Sequence, residues 1–325
     1  MIIVQAPLRI SFFGGGTDFP NYYLAEGGCA LSSTINKYIY IVIKPRYDSI
    51  IRICYTQTEM VDDVNHIQHE LIREALKKTN IHSGVEITTM GDIPAGSGLG
   101  SSSTVTVGAL CAMYAYNGES VTAERLSRES CEIEIDTLGK PIGVQDQYIA
   151  AYGGLRFFEF KRYGDITNTK ISLDPTIFQR FNENLILFFS GLTRRSETVL
   201  DEQNMNVNHN FRVLRKMKEI AYTAKEEFSK GNIDEIGNLL HESWLLKKQL
   251  AANISNDQID EWYSIAMRAG ALGGKITGAG GGGFLLLYVP QEKRRVVQSA
   301  LSHLKELPFH LEQDGTKVIF NYRPC

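Results

Sequence analysis

The sequence predicts two domains, with strands and helices mixed in each. Three observations carry this expectation. The chain has 325 residues, more than one simple core organises. The first sixty residues or so are rich in strand-like segments. Beyond about residue 180, long amphipathic helices take over. The expected units are therefore 1–180 and 181–325. No low-complexity linker separates them, so they should pack closely and leave a cleft between them.

Ile2–Val4, Leu8–Phe13 and Tyr38–Pro45 carry β-branched and aromatic residues between Gly or Asn clusters, and read as strands. Residues 64–79 repeat apolar positions at helical spacing: Val64, Ile67, Leu71, Ile72, Ala75 and Leu76. A strand at Val85–Thr89 leads into a glycine-rich turn and then a helix over Ser102–Tyr116. Ala123–Ile135 reads as a helix, and 155–160 and 170–173 as strands. In the second half, Leu185–Phe189 is an expected buried strand. Residues 210–230, 233–252 and Asp257–Ala269 are expected helices. Phe284–Val289 follows as a strand, Glu292–Leu304 as a helix and Lys317–Tyr322 as a last strand.

Composition narrows the function classes. Hydrophobic residues make up 43% and charged residues 22%, ordinary for a soluble globular chain. A net charge of −3 gives no field that would draw nucleic acid or an anionic membrane, so basic residues must act locally. No apolar run approaches the roughly 18 residues of a membrane span. The five cysteines are Cys29, Cys54, Cys111, Cys131 and Cys325. They are widely spaced, odd in number and without a CxxC pair. That argues against a disulfide framework or zinc site and for a reducing cytoplasm.

The sharpest feature is GDIPAGSGLGSSSTV at 91–105. Gly96, Gly98 and Gly100 allow backbone N–H groups to approach a ligand without Cβ clashes. The following helix aims its unpaired N–H groups and positive dipole end at the same place. Together they suit phosphate, and Ser101, Ser102 and Ser103 add hydroxyls for phosphate oxygens or Mg²⁺. The spacing excludes a Walker loop, since no lysine follows Gly100. It also excludes a Rossmann fingerprint, since the third glycine comes one position early.

Two more segments are rich in glycine. PLRISFFGGGTDF at 7–19 puts Arg9 on a strand, Gly14–Gly16 in a turn and Asp18 just beyond. This suits a polar ligand, but an ordinary hairpin with a surface ion pair would look the same. KITGAGGGGFLLLYV at 275–289 is glycine from 278 to 283 except at Ala279. Such a run lets backbone lie against a neighbouring loop or a nucleotide, or forms a flexible turn.

In order and rough spacing, the three segments resemble the GHMP kinases, the superfamily named for galactokinase, homoserine kinase, mevalonate kinase and phosphomevalonate kinase. The resemblance spans nearly the whole chain. It implies an α+β, two-domain GHMP kinase fold. The N-terminal domain would resemble ribosomal protein S5 domain 2, and the C-terminal one would be ferredoxin-like. ATP would bind in the cleft on Pro94, Gly96, Ser97, Gly98, Leu99, Gly100, Ser101, Ser102 and Ser103, with Mg²⁺ as the only other cofactor. Ser102 and Glu134 match the family's Mg²⁺ ligands, with Glu132 a rival to Glu134 because of one extra residue before Asp146. Asp146 matches the catalytic aspartate, and Arg9 stands where the family has Lys or Arg near the transferred group.

The glycine turn departs from the galactokinase and mevalonate kinase pattern. Together with LLHESWLLKKQL at 239–250 and GALGGKITGAGGGGFLL at 270–286, it looks like the heptose kinase branch. That branch phosphorylates the anomeric hydroxyl of a heptose 7-phosphate on the way to activated heptose. The acceptor would then meet Gly15, Gly16, Thr17, Asp18 and Gly280. Arg194 and Arg195 are candidates for its phosphate, as guanidinium forks bind phosphate in a two-pronged way. A C1 kinase of fucose or another free sugar is the alternative. A non-catalytic sensor is a third reading, against which Ser102, Glu134 and Asp146 all stand in place. The expected partner is a small-molecule sugar phosphate, with no nucleic acid and no membrane. Oligomeric state stays open.

Overall fold

The computed structural model describes residues 1–192, 196–207 and 209–322. The chain opens with β1 (Ile2–Phe13), α1 (Pro20–Glu26), β2 (Gly28–Pro45), β3 (Ile51–Cys54), β4 (Thr58–Val61) and α2 (Glu70–Lys78). Next come β5 (Val85–Gly91), α3 (Ser101–Asn117), α4 (Ala123–Cys131), α5 (Gln145–Tyr152), β6 (Leu155–Phe160) and β7 (Ile166–Lys170). They are followed by α6 (Pro175–Glu183), β8 (Leu185–Phe189), α7 (Ser196–Met205), α8 (Phe211–Lys230), α9 (Ile233–Lys247) and α10 (Asp257–Ala269). The chain closes with β9 (Gly273–Ile276), β10 (Phe284–Tyr288), α11 (Gln291–Ala300), β11 (Lys305–Glu306) and β12 (Lys317–Asn321).

The first sheet has the order β12-β1-β2-β5-β3-β4, with β6 and β7 attached at β2. Strand β2 makes this possible by its length of 18 residues. Its early part, Gly28–Ser33, pairs with β6, and its late part, Ile39–Pro45, pairs with β5. Ile39, Ile41 and Ile43 are buried and their neighbours less so, the two-residue alternation of a sheet with one face on a core. Pro7 interrupts the expected first strand without ending it. The register with β2 shifts between Pro7 and Arg9, so the missing N–H falls at an irregularity of one long strand. Helix α3 lies across β1 and β2. A Cβ on Gly108 would come 3.1 Å from Ala6 and 3.0 Å from Ile41, so helix and sheet sit in close contact.

The second sheet is antiparallel in the order β11-β8-β10-β9. In order of appearance its strands lie 4-1-3-2, with helices between the first and second and between the third and fourth. That is the split βαβ arrangement of a ferredoxin-like unit. Residues 181–325 do not all belong to it. After β11 the chain returns, and β12 pairs with β1 at the far edge of the first sheet. Only pairing with a strand more than 300 residues earlier selects that position. One apolar cluster runs from Ile2, Leu31 and Val107 on the first sheet to Phe181, Phe228 and Tyr288 on the second unit. Another packs Trp244 and Trp262 among the C-terminal helices.

The short elements α1, α5, α6, α7, β3, β4 and β9 lack the length that makes periodicity visible, and the sequence did not announce them. The expected helix over 64–79 is a single tight turn at Val64–His66, capped by Asp63, followed by α2.

Candidate active site

A cleft of about 820 Å³ opens between the two units. One wall holds the loop after β5, which turns into α3 at Ser101. Gly96, Gly98 and Gly100 all have φ between 75° and 78°, which side-chain-bearing residues rarely adopt. Pro94, Gly96, Gly98, Gly100, Ser101, Ser102 and Ser103 line the cleft, as expected of a phosphate loop. Ser97 and Leu99 do not. Leu99 is fully buried among core side chains. Ser97 is buried, with its hydroxyl lacking a partner among the described residues. Between Gly96 and Gly100 every second residue thus turns inward.

Arg9 and Asp146 meet across 137 positions of sequence. Arg9 Nε donates to Asp146 Oδ1 at 2.7 Å and Nη2 to Oδ2 at 2.6 Å, a two-pronged ion pair. Arg9 Nη1 donates to the Gly98 carbonyl at 2.7 Å, tying the pair to the loop. Asp146 sits in the first turn of α5, its side chain 22% exposed. Each of its oxygens therefore keeps a lone pair for a group in the cleft.

Glu134 lies on a π-helical turn, Glu132–Thr137, that continues α4. Such turns carry one residue more than an α-helical turn and recur at functional sites. Glu134 is fully buried, and its Oε2 accepts from Ser102 Oγ at 3.1 Å and Ser103 Oγ at 3.4 Å. Gln147 Nε2 donates to Oε1 at 3.1 Å. Burial pushes the carboxyl up to about 7, against the pull of the Gln147 hydrogen bond and the Lys140 charge. Its rival Glu132 points elsewhere: 40% exposed, it pairs with Lys78 at 2.6 Å.

Asp18 lies on the cleft wall with Gly15 and Gly16. Its Oδ1 accepts from Gly16 N at 2.8 Å and its Oδ2 from Gln145 Nε2 at 2.9 Å. Burial raises its pKa, the Gly16 N–H opposes this and the nearby Asp146 adds to it. Gln145 is itself held by Ser11 Oγ at 2.7 Å. Sequence reasoning missed Gln145, although it precedes Asp146 directly.

Two expected acceptor contacts are corrected. Thr17 is fully buried and does not line the cleft. Its hydroxyl donates to the Gly14 and Cys29 carbonyls at 2.8 Å, so it fastens the glycine turn. Gly280 packs behind the wall, where a Cβ would lie 2.8 Å from the Ile254 carbonyl. Gly278 and Ala279 line the cleft instead. Arg194 and Arg195 lie outside the described residues.

The third glycine segment rests on the loop between β5 and α3. A Cβ on Gly98 would lie 2.6 Å from the Thr277 carbonyl, and one on Gly283 would lie 2.3 Å from the Ser97 carbonyl. Backbone meets backbone at both places. Two lysines from this side, Lys247 and Lys275, also line the cleft, and the sequence reading had not singled them out. Lys275 Nζ donates to the Ser11 and Phe12 carbonyls at 2.9 and 3.1 Å. Burial and the charges of Lys247 and Arg9 hold its pKa well below the ordinary lysine value. At the other end of the cleft, Tyr55 and His69 meet edge to face with ring centres 4.7 Å apart, near Leu71 and Met90.

Residues 65–154 match the family described as GHMP kinases N terminal domain, and 224–306 match GHMP kinases C terminal. A D-glycero-alpha-D-manno-heptose 7-phosphate kinase of Campylobacter jejuni is 28% identical, over 92% of this chain and 93% of its own. A bifunctional fucokinase/GDP-fucose pyrophosphorylase of Arabidopsis thaliana is 24% identical over 99% of this chain, which spans only 32% of that protein. Among solved structures, a D-glycero-D-manno-heptose 1-phosphate kinase from Bacteriodes thetaiotaomicron superposes with a TM-score of 0.82 at 27% identity. The match covers 99% of this chain and 100% of that one.

Proposed function

Since the chain belongs to the GHMP kinase superfamily and is a sugar kinase of that fold, we propose that it moves the terminal phosphoryl group of ATP onto the anomeric hydroxyl of a heptose 7-phosphate. The product is the 1,7-bisphosphate. The single observation that carries the chemistry is the two-pronged Arg9–Asp146 pair tied to the Gly98 carbonyl of the phosphate loop.

Asp146 takes the proton of the acceptor hydroxyl as that oxygen bonds to the terminal phosphorus and the bond to the departing ADP oxygen breaks. Arg9 holds the carboxylate in orientation and adds positive charge beside the group in transit. The loop N–H groups and the α3 N-terminus take the phosphates. Tyr55, His69 and Leu71, which line the cleft, offer ring and apolar surface for an adenine.

Mg²⁺ fits the residues at Glu134. A carboxyl that burial holds near 7 regains its full charge beside a divalent cation, and the Ser102 hydroxyl supplies a second hard oxygen. We assign Ser102 and Glu134 as its protein ligands. When bound, the ion neutralises triphosphate charge. Among the described residues no cluster of three or more His, Cys, Asp or Glu side chains offers a metal site. A Mg²⁺ held chiefly by phosphates and water needs none.

Similarity to heptose phosphate kinases along nearly the full length supports the acceptor assignment. A fucose C1 kinase is the second reading, supported by the fucokinase relatives. Comparing kcat/KM for D-glycero-D-manno-heptose 7-phosphate and for L-fucose separates them, with NMR locating the phosphorylated carbon. A higher kcat/KM for fucose, or phosphate on a carbon other than C1, removes the heptose assignment.

A further inference from the structure

The cleft holds a cation that this chemistry has not used. Lys247 ends α9 and is 5% exposed on the cleft wall. Its Nζ donates to the Gly278 carbonyl, its only acceptor among the described residues. An ammonium carries three N–H donors, so two remain. A buried charge with open donors is costly unless something completes its shell. The other lysine and arginine side chains of the wall are committed: Arg9 to Asp146 and Gly98, Lys275 to two β1 carbonyls.

The charges that act on Lys247 come from three elements around it: Arg9 of β1, Asp18 of the turn after it and Asp146 of α5. Lys275 of β9 interacts with it as well. Arg9 is ion-paired with Asp146 and Lys275 donates to two backbone carbonyls, while Lys247 forms no ion pair among the described residues. Its mooring also places it. Gly278 packs so closely on the loop that a Cβ there would lie 2.7 Å from Gly98 Cα. The Gly98 carbonyl in turn receives Arg9. The Lys247 ammonium therefore stands beside the centre of the phosphate loop, on the side of Arg9 and Asp146.

We propose that Lys247 is the lysine the loop's own sequence lacks: from the opposite wall, it binds the non-bridging oxygens of the phosphoryl group being transferred. This rests on the kinase reading and deepens it. A phosphate lysine normally follows the glycines of its own loop. Here it lies 147 residues beyond Gly100 and reaches the loop through the contact of Gly278 with Gly98.

The test measures binding of MgADP and of a non-hydrolysable MgATP analogue to the full chain, as wild type, Lys247→Met and Lys247→Arg. Lys247→Met should weaken the analogue about 10–100-fold and leave ADP unchanged, as expected for losing one charge-assisted contact. It should lower kcat by roughly 100-fold, with the sugar KM within a few-fold of wild type. Lys247→Arg should recover most of both. Equal losses for ADP and analogue, or a raised sugar KM with normal kcat, would overturn the assignment.

A second measurement does not depend on the Met variant folding. Burial, then repulsion by Arg9, bring the Lys247 pKa down to about 8. The wild-type preference for analogue over ADP should therefore fall as pH rises through that value, and persist in Lys247→Arg. A preference that stays flat in the wild type would refute the proposal. A wild-type chain that binds neither nucleotide would instead sink the kinase reading itself.

Discussion

The molecule has two glycine-rich segments that look alike in sequence and do different work. In residues 94–103 the glycines alternate with other residues, and Gly96, Gly98 and Gly100 all line the cleft with positive φ. In residues 278–283 most glycines face protein: Gly278 and Gly283 meet the loop, Gly280 meets Ile254 and Gly282 meets Leu192. The first segment lines the cleft almost throughout, and the second packs against the first at Gly278 and Gly283 while Gly278 and Ala279 also reach the cleft. Glycine density therefore signals close approach of backbone to something, and only the partner tells which.

The largest effect should come from changing the chemistry while leaving both segments untouched. Asp146→Asn keeps the side chain's size but removes the proton acceptor and one of the two oxygens that accept from Arg9. We expect kcat to fall about 10²–10⁴-fold while MgATP affinity stays within a few-fold of wild type. Near-normal turnover would remove Asp146 from the mechanism.

The comparison itself breaks or holds at Gly283. Alanine there combines a φ of +89° with a Cβ 2.3 Å from the Ser97 carbonyl. Bracing predicts a loss of about 2–3 kcal/mol in stability and a drop in ATP affinity of tenfold or so, one residue's contact being worth roughly that. Gly164 is the control, with a φ of +94° and nothing within 4 Å of a Cβ. Gly164→Ala should cost only the backbone strain, about 1 kcal/mol, with ATP binding intact. Normal ATP affinity in Gly283→Ala would mean that the two segments act independently.

The smallest effect sharpens the phosphate side of the comparison. The Glu134 carboxyl titrates near 7 in the folded chain, above its ordinary 4.5. The native state thus holds this proton more tightly than the unfolded chain. The stability so gained is fully present below 4.5 and is lost as pH rises through about 7. Metal-free Glu134→Gln should therefore be more stable than wild type at pH 8, by about 1–3 kcal/mol. The gap should close as pH falls toward 4.5, where the wild-type carboxyl is protonated too. Denaturant unfolding at the two pH values measures this, and a gap independent of pH would contradict the assignment of a buried, proton-sensitive Glu134.

Residues near one another in the chain were the ones that sequence reading reached. The alternation Gly96–Gly98–Gly100 followed by serines specifies a turn onto a helix N-terminus, because both requirements are local. The long amphipathic stretches became α8, α9 and α10 because helical periodicity is a short-range property. Arg9, Glu134 and Asp146 were legible as residue types in a pattern, but the geometry of the Arg9–Asp146 ion pair and of the hydrogen bonds from Ser102 and Gln147 to Glu134 was not. The π-helical turn that buries Glu134 while Glu132 stays partly exposed is announced by no residue of the segment.

What the sequence determined by itself was a glycine-serine turn onto a helix N-terminus, a mixed two-unit chain and the family to which it belongs. Tertiary structure decided the rest. It sent β12 back to β1, turned Thr17 and Gly280 away from the cleft, and set the second glycine segment against the first. It also carried Lys247 to the loop from the end of a C-terminal helix. The reason is physical: a side chain's role depends on which distant backbone it faces, and contacts across hundreds of residues leave no period or spacing in the chain.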